Sequence, residues 1–165
     1  MGGNGSGWRR AKRDVVEDCL VLSIQDLICQ GVLVPGSFCS GLWTWRYGAA
    51  AEPPDATISY ESDLRSPGSA WLRLWFTTEH GPTDQYIWFT RTKPNYGGAR
   101  WWFRCPLLNI RAGKLYLPPG ARMFASRLAH ELTYTSCRQS GASERLWRQA
   151  ARAGETDTAT VAAKR

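Results

Sequence analysis

Between Gly41 and Thr92 the chain breaks into four pieces of strand length, and the breaks constrain the fold as much as the pieces. The pieces are GLWTWRY (41–47), ATISYES (56–62), SAWLRLWFTT (69–78) and DQYIWFTRT (84–92). Pro53-Pro54, Ser66-Pro67-Gly68 and His80-Gly81-Pro82 stand between them. Proline fixes its own φ and glycine tolerates positive φ, so such clusters mark turns. In the third piece Leu72, Leu74 and Phe76 alternate with Trp71, Arg73, Trp75 and Thr77. In the fourth, Ile87 and Phe89 alternate with Tyr86, Trp88 and Thr90. Successive side chains of a strand point to opposite faces, so a period of two gives each strand two distinct sides. Together the pieces predict an antiparallel meander, one face of which must be covered.

The flanks supply the cover. DCLVLS reads as a short extended piece leading to Ser23, and Ser23 with Asp26 resembles a capping box. Gly31 is a natural C′ residue, so a short helix is expected over 24–30, with Ile24, Leu27 and Ile28 facing the core. After Tyr96-Gly97-Gly98, ARWWFRC reads as a fifth strand. GKLYLP and ARMFAS read as the arms of a hairpin around Pro118-Pro119-Gly120. Ser143 then caps a last helix over 144–153, with Leu146, Trp147 and Ala150 as its apolar stripe. The expected class is α+β: a mainly antiparallel sheet with a short N-terminal helix, a degenerate ribbon-like hairpin and a C-terminal helix. Four segments follow: a basic, flexible start (1–13), the meander with its helix (14–96), the ribbon-like lobe (97–137), and the C-terminal helix with a disordered tail (138–165).

Nine tryptophans and an apolar fraction of 43% are enough for a packed core. No apolar run approaches the length of a membrane span, so no membrane partner is expected. The basic start lacks a following apolar segment, which argues against a secretory signal. Cys19, Cys29, Cys39, Cys105 and Cys137 show no paired spacing, which points away from a disulfide framework and toward the reducing cytoplasm. The net charge of +7 is unevenly spread. Residues 14–84 carry three arginines against ten carboxylates, whereas residues 85–130 carry eight cations and no carboxylate. Such a segment projects positive potential from its surface.

The basic segment also has the rhythm of a zinc ribbon. Two C-x2-C knuckles would place ligands at 105, 108, 126 and 129, and the occupants are Cys105, Leu108, Ser126 and Ala129. The matching residues are Cys105-Pro106, Arg111, Lys114-Leu115-Tyr116-Leu117-Pro118-Pro119-Gly120, Phe124, Arg127, His130 and Leu132-Thr133-Tyr134. In these the chain resembles a group of uncharacterised bacterial zinc-ribbon-like proteins, whose ribbon reads approximately CPxCGRRVxKLYLPPG and then FxCRxCHxLTY. YGGARWWF, GSGWRR and VEDCL also look like that group. The resemblance implies a ribbon fold and no assigned activity. Three of its four ligand positions hold no ligand here. Cys105, His130 and Cys137 are the residual candidates, but Cys137 lies outside the knuckle, and Leu108 and Ala129 read as apolar plugs. No metal and no cofactor are expected; Trp101, Phe103, Tyr116 and Phe124 offer aromatic area to dock the ribbon instead.

In RWWFR, Arg100, Trp102 and Arg104 should share one strand face, with Trp101, Phe103 and Cys105 on the other. Cations bind phosphate and exposed rings stack on bases, so the segment points to nucleic acid. The candidate binding residues are Arg91, Lys93, Arg100, Trp102, Arg104, Arg111, Lys114, Arg122 and Arg127. Trp43, Trp45 and Tyr47 share a strand face and are expected in the core. No nucleophile triad, paired-carboxylate motif or phosphate loop is visible, so an enzyme is not expected. The leading expectation is non-catalytic nucleic-acid binding. The rival is a protein-interaction module, such as an inhibitor from a mobile element or phage.

Overall fold

The computed structural model describes residues 13–46, 56–95 and 97–137. The chain divides into two compact units, Met1–Leu132 and Thr133–Arg165. In the second, residues 133–137 are described, and the Cys137 amide donates to the Tyr134 carbonyl at 3.1 Å. The helix expected over 144–153, the basic start to residue 12, and Tyr47 lie outside the described residues.

The fold is α+β, and the meander forms as its alternation requires. Strands β2 (Phe38–Trp45), β3 (Ala56–Asp63), β4 (Trp71–Thr78), β5 (Gly81–Thr92), β6 (Arg100–Arg104) and β7 (Arg111–Ala112) make one six-stranded sheet. They lie in chain order and every neighbouring pair is antiparallel. Ser62, Leu72 and Ile87 stand opposite one another, as do Tyr60, Leu74 and Gln85. This inner face holds the main core, which also takes in Trp43, Trp45, Ile58, Phe89, Trp101 and Phe103. The fifth strand expected from RWWFR thus continues the meander's sheet through its register with β5.

The inner face is covered by β1 (Leu20–Ser23), α1 (Ile24–Cys29), β8 (Lys114–Leu117) and the segment leading to Phe124, whose Leu22, Ile24, Leu27, Leu115 and Phe124 join the core. Ser23 stands at the N-cap without a side-chain bond, contrary to the capping-box expectation. The Ile24 amide instead donates to the Gly113 carbonyl at 3.1 Å, which satisfies one orphan donor of the first turn. At the other end Gly31, with φ 72°, donates to Ile28, and Val32 donates to Leu27. This is the Schellman pattern that the glycine predicted. Ile28 is exposed rather than buried. It lines a hollow beside Arg100 and Trp102 instead of the core.

The expected hairpin is also corrected. Lys114–Leu117 pairs antiparallel with β1, with Leu115 opposite Leu22 and Leu117 opposite Leu20. ARMFAS contributes a single bridge, Tyr116 with Ala125, closed by bonds of 2.8 and 3.0 Å. Pro118 and Pro119 have no amide to carry a ladder onward, whereas β1 offers alternating leucines and a complete set of donors. Phe124 is held otherwise. Gln85, buried on β5, donates to the Phe124 carbonyl at 2.7 Å and accepts from its amide at 2.9 Å. The Phe124 ring stacks on Trp45 at 5.9 Å and meets Phe76 edge-on at 5.4 Å. Trp101, Phe103, Tyr116 and Phe124 are all buried, so the ribbon segment is docked by packing.

Candidate functional site on the outer sheet face

Strand β6 buries Trp101 and Phe103 and turns Arg100, Trp102 and Arg104 outward, as the alternation predicted. A tight loop then brings Arg111 back beside Arg104. The Asn109 amide donates to the Cys105 carbonyl and the Cys105 amide to the Ile110 carbonyl, both at 2.8 Å. Asn109 has φ 58°, a conformation that asparagine adopts more readily than most residues. Its Oδ1 accepts from Arg104 Nε, which orients that guanidinium. Arg104 and Arg111 are direct cross-strand partners, and both are exposed.

Among the described residues the ion pairs are Arg65 with Asp63 (2.6 Å) and Arg73 with Asp84 (2.7 Å). Two carboxylates of the acidic meander are therefore matched by arginines of the meander itself. Arg100, Arg104 and Arg111 face no carboxylate in these pairs. Like charges directly opposite repel, so the Arg104–Arg111 pair costs stability and favours an anion beside it.

Trp102 differs from the free ring expected of it. It is half-buried, its indole N–H donates to Thr92 Oγ1 at 3.0 Å, and the Arg100 guanidinium lies 4.1 Å from its ring centroid. The cation–π contact occupies one ring face. More exposed rings lie elsewhere on the same side. Trp71 stands opposite Trp88, and Arg73 opposite Tyr86. Trp88 is 49% and Tyr86 46% exposed. Both sat in the outward half of the alternation. Periodicity alone does not single them out, because their nearness to the arginines depends on cross-strand register.

The other candidate residues scatter. Arg91 pairs in register with Trp101, on the inner side, and its guanidinium lies 5.8 Å from that ring. Lys93 is exposed beyond the end of β5. Lys114 belongs to the two-stranded sheet, opposite Ser23. Arg122 is exposed in the loop before Phe124. Arg127 is half-buried and donates to the Leu132 carbonyl at 3.2 Å, a bond internal to its own turn. The outer face therefore collects Arg100, Trp102, Arg104 and Arg111. Beside Arg100 and Trp102 a hollow of about 350 Å³ opens against α1, lined also by Gln25 and Ile28.

The two knuckle-like turns do meet. Cys105 Sγ accepts from the Ser126 amide at 3.3 Å, and Ser126 Oγ accepts from the Ala129 amide at 3.3 Å. Burial pushes the Cys105 thiol up, but hydrogen bonds from Ser126 and from the backbone of Leu108 and Leu107 outweigh it and leave the thiol below its ordinary value. These residues do not fit a zinc ion. Leu108 is exposed and apolar, the His130 ring bonds the Met123 carbonyl at 3.2 Å, and no cluster of three His, Cys, Asp or Glu occurs among the described residues. No described helix is long and apolar enough to cross a membrane. Comparison with family models, curated proteins and solved structures found no match to this chain.

Proposed function

We propose that this chain is a non-catalytic nucleic-acid-binding protein of the cytoplasm that uses the outer face of β6 and β7. The observation that carries the reading is the Arg104–Arg111 cross-strand pair, exposed, with Arg100 on the same side and none of the three in an ion pair among the described residues. Phosphates relieve the repulsion between such arginines and release counterions on binding. Five free cysteines fit a reducing compartment. The test is fluorescence anisotropy with labelled oligonucleotides at low ionic strength. Arg100→Ala combined with Arg104→Ala should weaken binding, while Arg122→Ala, away from the face, should leave it nearly unchanged. If the unaltered protein shows no salt-sensitive binding to any nucleic acid, the face serves a protein partner instead.

A further inference from the structure

The six-stranded sheet has two chemically different sides. Its inner side is packed against β1, α1 and β8. Its outer side carries a row of residues that runs across the strands. Phe38 stands opposite Asp63, Asp63 opposite Trp71, and Trp71 opposite Trp88. Extending the Phe89–Phe103 ladder by one pair sets Trp88 beside Arg104, and Arg104 stands opposite Arg111. The row therefore passes from two arginines to three aromatic rings. Neighbouring strands lie about 4.8 Å apart, so its six positions span about 24 Å.

Two of the three rings are about half exposed, and Trp71 between them is partly buried. Trp88 and Phe38 are 49% and 47% exposed. Phe38 and Tyr86 each touch Trp71, with centroids 6.5 and 5.6 Å away, so the rings form a connected cluster. Two of the acids among them are neutralised in place. Asp63 is bound by Arg65, and Asp84 accepts two bonds from Arg73, at 2.7 and 2.9 Å. Arg73 in turn lies 4.2 Å from the Trp75 centroid and 5.1 Å from that of Tyr86. Glu61 stands opposite Arg73 on this same side, and its charge acts on that guanidinium. An anion that lies along the row meets Arg104 and Arg111 at one end, while Asp63 and Asp84 are each bound by an arginine.

We infer that the nucleic acid held by this face is single-stranded and crosses the strands along the row, with phosphates at Arg104 and Arg111 and bases stacked on Trp88 and Trp71. This rests on the nucleic-acid reading above and narrows it. A duplex hides the faces of its bases and offers a flat sheet only phosphates and groove edges. Unpaired bases stack on exposed aromatic rings whatever their sequence. The length of the row matches the few nucleotides that small single-strand modules cover, from about 4 upward.

The test compares labelled oligouridine and oligothymidine of about twelve nucleotides with a duplex of equal length, at low salt. The single strands should bind more tightly than the duplex. Trp88→Ala should weaken single-strand binding about tenfold and leave duplex binding unchanged. Trp88→Phe, which keeps a ring, should retain most of the affinity. Trp88 is exposed, so neither variant threatens folding. If duplex binds as tightly and Trp88→Ala changes nothing, the single-strand inference falls and the cationic reading stands. If no nucleic acid binds in a salt-sensitive way, both fall.

Discussion

Trp102 donates its indole N–H to Thr92 and carries Arg100 over its ring, whereas Trp88, on the same side, makes neither kind of contact among the described residues. The facing of RWWFR was legible because alternation in a strand is local. Which tryptophan stays bare was not, because it depends on which residues the neighbouring strands bring alongside. Trp101 shows the local rule at its strongest. It is 7% exposed and meets Phe89 edge-on at 6.2 Å. Trp101→Ala should lower stability by about 3–5 kcal/mol in urea unfolding, the range for buried aromatics. A loss no larger than that of a surface substitution would contradict the assigned facing. In the sequence, His130 reads only as a remnant ligand. Burial pushes its imidazole below the ordinary value near 6.5, against hydrogen bonds to Met123 and Tyr116 and the charge of Asp14 that pull it up. The unfolded chain then binds this proton more readily than the folded one. Its contribution is fully present above pH of about 6.5 and declines as pH falls toward the folded value. The melting temperature should drop between about pH 7 and pH 5, and drop less in His130→Gln. Equal slopes in the two proteins would contradict it.

At the scale of elements, the four strands of the meander and their order were legible because a period of two marks strands and Pro and Gly mark breaks. Gly81 and Pro82, however, pair within β5, and residues 38–40 extend β2 beyond the expected piece. The ribbon segment was legible only in part. Its strand Lys114–Leu117 is present, yet pairs with β1, which lies more than ninety residues earlier in the chain. Nothing local in the sequence specifies such a partner. The aromatic docking of the segment was foreseen, but the role of Gln85 was not. A single glutamine at a core position of β5 supplies both a donor and an acceptor to Phe124, as a neighbouring strand would. Gln85→Ala strips both groups of their partner in a buried place. Each unsatisfied group costs about 1–3 kcal/mol, so a loss of about 2–6 kcal/mol is expected on chemical denaturation. Gln85→Glu keeps the acceptor and loses the donor, and should fall below the natural protein as well. A Gln85→Ala protein as stable as the parent would show that Phe124 is held by ring packing alone.

Across the whole chain, cations and acids are separated by segment, and the sheet brings the cations of one segment beside the rings of another. The 46 acid-free residues of 85–130 announced a positive surface, but only three of their eight cations, Arg100, Arg104 and Arg111, share the outer face of the sheet. The sequence located the charge along the chain, and the register placed it beside the rings of the acidic meander. That juxtaposition is the central claim, and the salt dependence of binding tests it most directly. The observed association constant for an oligonucleotide would be measured across a range of salt concentrations, for the natural protein and for Arg104→Ala with Arg111→Ala. Each phosphate contact removed lowers the slope of log K against log salt by about one unit, so the double variant should lose about two. Equal slopes in the two proteins, or a natural protein whose binding ignores salt, would contradict the account.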